Sequence, residues 1–309
     1  MAITVTSIGI GNMGAALANA LLKSGNVNLT IWNRTASRPQ VQSLISAGAT
    51  FEPSLATALS KSDIILFCVL DYSVISTVLS QLDTKDSKPF AGKTILNLTN
   101  GTPKQAREME AHCKSALGAA AYFDGGVMVT PQLVGTPAAF VVLSGETEEK
   151  YKASLEASGL LKPVGGVLYV AQDPGAASQV DCAALASMFG MFIGAFTGIG
   201  LIKKLKAADE DGAGVAKAKP LVDKVMIPLL TALVPYVGLL AEQIDQERWM
   251  DDLGNPLAMQ AEGVRNILQS CEDEGVDGTG LKFLYQLMER AVKDGFGPGG
   301  VAAVAKYII

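Results

Sequence analysis

Short apolar runs alternate with amphipathic stretches through the first half of the chain. The runs are rich in β-branched and aromatic residues and comprise Ile3–Ile8, Val27–Trp32, Ile64–Val69, Thr94–Leu98 and Ala120–Phe123. Strands that alternate with helices in this way predict a parallel, doubly wound sheet. Two further strands are expected at Ala138–Leu143 and Gly166–Val170, with a helix from about Glu148 to Ser158 between them. The pattern predicts an α/β domain of the Rossmann type over residues 1–172.

After residue 172 the pattern becomes helical throughout. A long helix is expected from about residue 176 to 205, followed by a polar connection at Lys206–Pro220. Further helices are expected at Pro220–Ile244, Leu257–Cys271, Gly280–Val292 and Val301–Ile309. Their apolar surface exceeds what a bundle of roughly a hundred residues can bury, which favours a homodimer. We therefore expect a long interdomain helix and an all-α dimerisation domain over residues 173–309.

One segment of the long helix has the length of a membrane span. Ala183–Ile202 is a charge-free run of 20 residues that ends at Lys203 and Lys204. A buried helix in a large core has the same composition. Asp181 lies just before the run, an α/β domain precedes it, and no second run of similar purity follows. We expect a buried central helix and no membrane partner.

Composition narrows the classes of function. Hydrophobic residues make up 49% of the chain and the net charge is −5, so no basic face is available to bind nucleic acid. The four cysteines are widely spaced and form no CxxC pair, so we expect neither disulfides nor a metal site. The N-terminal residues read as a strand, not a signal peptide, which predicts a cytoplasmic protein.

A glycine-rich loop follows the first predicted strand directly and opens a helix. Its sequence is Gly9-Ile10-Gly11-Asn12-Met13-Gly14, the GxGxxG pattern of dinucleotide-binding loops in its usual context. Gly9 permits a tight turn, Gly11 lets the backbone approach a pyrophosphate, and Gly14 lets the helix pack closely on the strand. The free N–H groups at the helix N-terminus attract the anion.

The end of the second predicted strand indicates which dinucleotide is bound. An acidic residue here would bind the ribose 2′-hydroxyl of NAD. The chain instead has Trp32-Asn33-Arg34-Thr35, with Arg38 close behind. Two guanidinium groups and the polar Asn33 and Thr35 suit a 2′-phosphate. The sequence therefore predicts NADPH/NADP+ as the cofactor.

A histidine catalyst is almost excluded. The only histidine, His112, lies in a polar helical segment where a surface position is expected. This argues against the usual mechanism of 2-hydroxy acid dehydrogenases, in which a histidine manages the proton. The proton or cation must be handled by another group, because a nicotinamide supplies only hydride.

Three motifs carry a resemblance to a known superfamily over essentially the whole chain. The glycine loop, Asn97–Pro103 and Asp124–Met128 are spaced as in the β-hydroxyacid dehydrogenases. Asp181 stands where that superfamily has its catalytic lysine, after the Gly175 entry to the long helix. Replacement by aspartate resembles the imine reductase branch. Met259-Gln260, Gly263-Val264 and Asn266-Ile267 further resemble its fungal reductive aminases.

The resemblance implies roles for particular residues. Asn100 and Asp181 would hold the substrate nitrogen, while Leu70, Asp71 and Asn100 would contact the cofactor. The implied substrate pocket is lined by Val127, Met128, Leu185, Phe189, Leu233, Met259 and Gln260. The family is also expected to form a homodimer with the active site at the subunit interface.

The sign of the charge at residue 181 suits the implied chemistry. A lysine ammonium stabilises a developing alkoxide, whereas a carboxylate stabilises an iminium cation or a protonated amine. Phe189 replaces a tyrosine of well-known reductive aminases, and Leu233 replaces a tryptophan. We therefore expect hydride transfer to preformed imines, with reductive amination of ketones by small amines as a second activity.

Three alternatives remain open. The first is a 3-hydroxy acid dehydrogenase, which would need a lysine near Asp181; the first lysines of the long helix are Lys203 and Lys204. The second is a pyrroline-5-carboxylate reductase, whose glycine- and alanine-rich C-terminal signature is not recognisable here. The third is a non-catalytic NADP(H)-binding protein. Oxidation of NADPH in the presence of imines would distinguish the proposed enzyme from a 3-hydroxy acid dehydrogenase and from a non-catalytic protein.

Overall fold

The computed structural model describes residues 2–82, 87–205 and 217–309. Within them the chain forms two compact units, Met1–Ala186 and Ser187–Ile309. The long helix α7 (Gly175–Lys203) begins in the first unit and ends in the second. The predicted domain boundary at residue 172 stays a prediction. Most of the predicted polar connection, residues 206–216, lies outside the described residues.

The first unit is built on an eight-stranded sheet. Its strands are β1 (Ile3–Ile8), β2 (Val27–Trp32), β3 (Thr50–Phe51), β4 (Ile64–Phe67), β5 (Thr94–Asn97), β6 (Ala121–Val127), β7 (Phe140–Ser144) and β8 (Gly166–Tyr169). The order across the sheet is β3-β2-β1-β4-β5-β6-β7-β8. The first six strands have the order of a dinucleotide-binding Rossmann sheet, which confirms the predicted fold class.

Helices flank the sheet and cover both faces. They are α1 (Asn12–Lys23), α2 (Pro39–Ser46), α3 (Leu55–Ser60), α4 (Tyr72–Leu79), α5 (Pro103–Ser115) and α6 (Glu148–Tyr151), the last extended by a π-helical turn at Lys152–Glu156. A hydrophobic core lies on each face of the sheet, and successive residues of a strand pack into different cores. On β4, Ile64 and Leu66 pack on one face, and Ile65 and Phe67 pack on the other. This is the two-residue period of a strand buried on both sides.

The prediction of a wholly parallel sheet is wrong at one edge. Strand β7 runs antiparallel to β6, and β8 is parallel to β7. The connection between β6 and β7 contains only a short 3-10 turn at Pro131–Leu133, so no crossover helix returns the chain to the opposite edge of the sheet. The helical segment between β7 and β8 does provide such a crossover. The short strand β3 was also not predicted.

All regular structure described in the second unit is helical. It comprises the end of α7, α8 (Lys219–Leu221), a π-helical turn (Val222–Met226), α9 (Ile227–Leu233), α10 (Tyr236–Asp245), α11 (Leu257–Glu274), α12 (Thr279–Ala291), a second π-helical turn (Val292–Phe296) and a 3-10 segment (Val301–Tyr307). A small core forms where α11, α12 and the C-terminal segment meet, around Leu257, Met288 and Val304.

Long apolar helices of this protein are exposed in the single chain. The sequence predicted a buried α7, but its side chains from Cys182 onward are mostly exposed, including Phe189 and Phe196 at 60% and 64%. Both α7 and the helical stretch Lys219–Asp245 are long and apolar enough to cross a membrane. Such surfaces on one chain require a covering partner or environment.

Candidate cofactor and active site

A cavity of about 630 Å³ lies at the carboxyl ends of β1, β2 and β4. It is lined by ten of the predicted cofactor residues, namely Gly9, Ile10, Gly11, Asn12, Met13, Asn33, Arg34, Thr35, Arg38 and Leu70. Seven further lining residues were not predicted: Trp32, Cys68, Val69, Val74, Thr77, Val78 and Gln81. Between β1 and β4 the strand order reverses, and open α/β sheets bind ligands at such a point.

The surroundings of each glycine in the loop match its predicted role. Gly9 has a φ of +95°, and a Cβ on it would overlap the carbonyl oxygen of Cys68. A Cβ on Gly14 would overlap the carbonyl oxygen of Gly9, so a side chain there would push helix α1 off the loop. No atom lies within 4 Å of a Cβ built on Gly11. The backbone at Gly11 is therefore open to a ligand.

The polar side chain at the end of β2 holds the glycine loop in shape. Asn33 Oδ1 accepts a hydrogen bond from the N–H of Ile10 at 3.0 Å, and its Nδ2 donates to the carbonyl of Thr35 at 2.9 Å. Gln40 Nε2 similarly donates to Asn12 Oδ1 at 3.1 Å. Asn33 thus couples two segments that line the cavity. Its contact with the cofactor stays a prediction.

Two arginines at the cavity carry uncompensated charge. Arg34 and Arg38 are exposed, and neither guanidinium forms an ion pair with any residue that the structure describes. The end of β2 carries no carboxylate that would repel a phosphate. Guanidinium groups bind phosphate through paired, charge-assisted hydrogen bonds. With the open backbone at Gly11, these residues fit a dinucleotide that bears a 2′-phosphate.

The two predicted cofactor residues after β4 have different positions: one lines the cavity, and the other caps a helix. Leu70 lines the cavity and is 83% exposed. Asp71 is the N-cap of α4, where its Oδ1 accepts hydrogen bonds from the Ser73 hydroxyl at 2.6 Å and the Val74 N–H at 3.0 Å. These hydrogen bonds lower the pKa of Asp71. Its carboxylate therefore has a structural task, and its predicted cofactor contact remains untested.

Asn100 and Asp181 form a direct pair, although they are far apart in sequence. Asn100 Nδ2 donates to Asp181 Oδ2 at 2.7 Å. Asp181 is 8% exposed and lies against Gly126, where a Cβ would come within 3.0 Å of its carboxyl carbon. Within the described residues, no lysine or arginine forms an ion pair with Asp181. The carboxylate is thus buried without a cationic partner.

The free acceptor atoms of the pair face no donor among the described residues. The one hydrogen bond between the side chains uses Asn100 Nδ2 and Asp181 Oδ2, and no described residue donates to Asp181 Oδ1 or Asn100 Oδ1. Two oxygens with spare lone pairs and one negative charge suit a ligand that presents N–H donors and positive charge.

A second buried carboxylate, Asp124 on β6, collects four hydrogen bonds. Its Oδ1 accepts from Tyr72 at 2.5 Å, from Asn97 Nδ2 at 3.1 Å and from Tyr122 at 3.2 Å. Its Oδ2 accepts from Ser178 Oγ at 2.6 Å. We call these five residues the Asp124 cluster. Asp124, Asn97 and Tyr122 are fully buried.

Burial dominates the electrostatics of the Asp124 cluster. Loss of solvent raises the pKa of Asp124 to about 6, against the four hydrogen bonds, which lower it. Desolvation and the nearby Asp124 charge raise the pKa of both Tyr72 and Tyr122. In the sequence, Asp124 is recognisable only as part of the Asp124–Met128 motif. An acid in the apolar strand Ala121–Val127 was the available signal, because unpaired charges are rarely buried.

The remaining predicted pocket residues fall in both units. Val127 ends strand β6, Met128 follows it, and Leu185 is one turn after Asp181; all three are half-buried. In the second unit Phe189, Leu233 and Met259 are exposed, and Gln260 Nε2 donates to the Asn255 carbonyl at 2.6 Å. The assignment of all seven to a substrate pocket stays a prediction.

Comparison with known proteins identifies relatives over the whole chain. Residues 173–308 match the family described as NADPH-dependent reductive aminase-like, C-terminal domain. Residues 4–158 match the family described as the NAD binding domain of 6-phosphogluconate dehydrogenase. The NADPH-dependent reductive aminase of Aspergillus oryzae is 33% identical over 97% of this chain and 95% of its own length.

Solved structures of similar proteins have the same fold. The reductive aminase from Aspergillus terreus in complex with NADPH4, cyclohexanone and allyl amine is 33% identical, with a TM-score of 0.87 over all of both chains. The imine reductase from Myxococcus stipitatus in complex with NADP+ is 27% identical, with a TM-score of 0.84 over 99% of this chain and all of that chain.

The glycine loop predicts separable effects of two alanine substitutions. Gly14→Ala should cost on the order of 1–3 kcal/mol of stability, because its methyl overlaps the Gly9 carbonyl. Gly11→Ala should change stability by less than about 1 kcal/mol but weaken NADPH binding at least about tenfold, because its methyl occupies the open face. Thermal unfolding and NADPH fluorescence titration measure the two effects. Equal stability of the two variants would contradict this assignment.

The raised pKa of Asp124 predicts a pH-dependent stability. The folded chain binds this proton up to about pH 6 and the unfolded chain up to its ordinary value of 3.8, so the contribution is present at low pH and lost as pH rises through 6. Asp124→Asn mimics the protonated carboxyl. Its stability relative to wild type should therefore rise by roughly 2 kcal/mol between about pH 4 and about pH 7. Denaturant midpoints measure this difference, and a pH-independent difference would refute the assignment.

Proposed function

The chain belongs to the NADPH-dependent reductive aminase family, and we propose that it reduces the C=N bond of imines and iminium ions to amines with NADPH as hydride donor. The relatives support the reaction class, since the Aspergillus terreus enzyme was solved with a dinucleotide, a ketone and an amine. The cavity at the glycine loop, with Arg34 and Arg38 at its edge, supports the choice of NADPH.

The Asn100–Asp181 pair, a buried carboxylate bonded to an exposed amide, carries the proposal. The Asp181 carboxylate has no cationic neighbour within the described residues, so a ligand that carries positive charge would be stabilised beside it. An iminium ion or protonated amine supplies both that charge and an N–H donor. Asp181 Oδ1 and Asn100 Oδ1 are the acceptors available to it. The pair therefore selects nitrogen substrates by charge.

The pair acts by stabilising and orienting the cation. NADPH, when bound, supplies the hydride that adds to the substrate carbon. The negative charge of Asp181 favours the protonated form of the imine, which is the form that accepts hydride readily. Asn100 fixes the carboxylate by its amide N–H and leaves its own oxygen for the substrate nitrogen. Hydride addition to the iminium carbon then yields the neutral amine.

The same charge argues against a 3-hydroxy acid dehydrogenase. Carbonyl reduction develops a negative alkoxide, which needs a cation or hydrogen-bond donor beside it. Asp181 would repel that charge, and the lysines of α7 that follow it begin only at Lys203. A non-catalytic dinucleotide-binding protein would leave the Asn100–Asp181 pair without a task.

We propose that preformed imines are better substrates than ketone and amine pairs. Condensation of a ketone with an amine needs proton transfer to and from oxygen before hydride transfer can occur. Phe189 replaces the tyrosine of well-known reductive aminases and has no hydroxyl for such a step. Reductive amination is then a slower, second activity that depends on imine formed in solution.

Replacement of the carboxylate tests the proposed function. Asp181→Asn keeps the shape of the side chain and removes its charge, so kcat for a cyclic imine should fall on the order of 100- to 1,000-fold. NADPH affinity should stay unchanged, because Asp181 does not line the cofactor cavity. NADPH oxidation and fluorescence titration measure the two quantities. Asp63→Asn, at an exposed position of the first unit, is the matched control.

Three results would count against the proposal. NADPH binding by wild type without turnover of imines, ketone and amine pairs or hydroxy acids would favour the non-catalytic alternative. Turnover of 3-hydroxy acids alone would favour the dehydrogenase. Wild-type activity in Asp181→Asn would remove this carboxylate from the mechanism.

We propose further that the protein is a cytoplasmic homodimer with its active site at the subunit interface. The exposed apolar side chains of α7 and α9 support this, and they include a row of contacting rings at Phe189, Phe192 and Phe196. Exposure of the predicted pocket residues Leu233 and Met259 is consistent with a site completed in the dimer. Surfaces of this kind are covered in obligate dimers.

A second copy explains the apolar surface better than a membrane does. The helical stretch Lys219–Asp245 has charged residues at both ends, and its charge-free part, residues 225–241, contains Pro228 and Pro235. That part is about 25 Å long at 1.5 Å per residue, shorter than a hydrocarbon core of about 30 Å. The first turns of α7 are held in the Asp124 cluster of the α/β unit.

A charge on the exposed helix tests the dimer. Wild type should elute without detergent at twice the chain mass of 32.2 kDa in light scattering. Phe196→Glu should shift the protein to monomer, because a buried charge at a dimer interface typically costs several kcal/mol. Ile45→Glu, which is also an exposed apolar position but lies on α2, is the control and should remain dimeric. Wild type that is a monomer, or that needs detergent, would refute the proposal.

A further inference from the structure

Three segments that lead to the candidate site meet at Asp124. The first is the start of α4, which bears Tyr72 and follows Leu70 at the cofactor cavity. The second is the end of β5, which bears Asn97 and leads to the loop of Asn100. The third is the start of α7, which bears Ser178 and then Asp181. Each segment donates one side-chain hydrogen bond to the carboxylate of Asp124.

The link from Asp124 to Asp181 runs along helix α7. Ser178 precedes Asp181 by three residues, so the two side chains lie on the same helix face. On β6, Asp124 and Gly126 lie two residues apart and face the same side of the sheet. Ser178 binds the first, and the Asp181 carboxyl fills the space beside the second. The helix is therefore held on the strand at two successive levels.

The link from Asp124 to Asn100 runs through a single amide. Asn97 Nδ2 donates to Asp124 Oδ1, and Asn97 Oδ1 accepts from the N–H of Thr99 at 3.1 Å. Thr99 in turn accepts, at its hydroxyl, from the N–H of Val69 at 3.2 Å. This chain of hydrogen bonds fixes the backbone immediately before Asn100. It also ties that backbone to the loop at the cofactor cavity.

The Asp124 cluster is built for orientation more than for stability. A carboxylate can accept the four hydrogen bonds because both of its oxygens are acceptors. Burying it carries a large desolvation cost, which an apolar residue of similar size would avoid. The four donors come from α4, β5, β6 and α7, so their common acceptor sets the relative position of these elements. Asp181 lies on α7, and Asn100 lies in the loop that follows β5.

We propose that Asp124 is a positioning residue for the reaction, which holds Asp181 through Ser178 and Asn100 through Asn97. The proposal rests on the proposed function of the Asn100–Asp181 pair. Asp124 itself has no exposed surface and contacts neither Asp181 nor Asn100 by a hydrogen bond. Its effect on the reaction is transmitted by the backbone segments that it joins.

Ser178→Ala tests this role in the full-length protein. It removes one hydroxyl and frees the start of α7 from Asp124, so kcat for a cyclic imine should fall about tenfold or more, as expected for a small misplacement of a reacting group. The dissociation constant of NADPH should change by less than about twofold, because the glycine loop is not altered. Rates are measured as NADPH oxidation at saturating cofactor.

Ser62→Ala is the matched control. Ser62 is also a buried serine of the α/β unit, and its hydroxyl makes one side-chain hydrogen bond, to Thr6 at 2.8 Å, outside the Asp124 cluster. Both variants should lower the thermal midpoint to a similar degree. Only Ser178→Ala should lower kcat. A loss of kcat in both variants in proportion to stability would reduce Ser178 to a structural role and overturn the proposal.

A double-mutant cycle identifies Asp124 as the group through which Ser178 acts. Asp124→Ala and Ser178→Ala should each lower kcat, and the combined variant should lose much less than the product of the two effects, because each removes the hydrogen bond between Ser178 and Asp124. If Asp124→Ala does not fold, Ser178→Thr replaces it, because threonine keeps a hydroxyl for Asp124 and should restore most of the kcat that Ser178→Ala loses; a loss as large as that of Ser178→Ala would overturn the proposal. Multiplicative effects would overturn the proposal.

The outcomes separate this proposal from the proposed function. A wild-type enzyme that reduces imines, together with a Ser178→Ala variant that behaves as Ser62→Ala, overturns the positioning role alone. A wild-type chain that binds NADPH but turns over no imine overturns the proposed function and the positioning role together.

Discussion

A buried carboxylate, Asp124, sets the geometry of the α/β unit around the candidate site. Desolvation disfavours its charge, and hydrogen bonds from four elements partly compensate for that cost. The donor on α4 lies next to the cofactor cavity, the donor on β5 lies near Asn100, and the donor on α7 lies near Asp181. The hydrogen bonds to the Asp124 carboxylate therefore orient three segments of the candidate site at once. Gly126 contributes by having no side chain, which leaves room for Asp181. Two features thus organise the site: the hydrogen bonds that the Asp124 carboxylate accepts, and the space left by the missing side chain of Gly126.

The cofactor region depends on a different constraint, the close approach of backbone atoms. Gly9 and Gly14 allow loop, strand and helix to touch, and Gly11 leaves its face open. Asn33 joins the glycine loop to the end of β2 and so brings Arg34 and Arg38 to the same cavity as the loop. The backbone N–H groups of the loop and the guanidinium groups of Arg34 and Arg38, which form no ion pair within the part of the chain that the structure describes, suit different parts of one anionic ligand.

The helical unit differs from the α/β unit in how much apolar surface it leaves exposed. The sheet buries both its faces within one chain, whereas α7 and α9 leave most of their apolar side chains exposed. Hydrophobic burial is proportional to area removed from water, so this surface stores a large driving force for association. An apolar helix that is covered by a second copy of the chain can have the same composition as a membrane-spanning helix, so composition alone does not distinguish the two.

Local chemistry in the sequence determined the order of strands and helices, the glycine loop and the polar, acid-free end of β2, because these features depend on neighbouring residues. The family resemblance identified Asn100 and Asp181, and tertiary structure brought them together. Only the tertiary structure decided the reversed β7, the Asp124 cluster and the exposure of α7. The bond between Asp124 and Ser178 spans 54 residues, and no periodicity encodes such a pairing. Strand direction likewise depends on how a connection packs, and burial of an apolar helix depends on what other surfaces reach it.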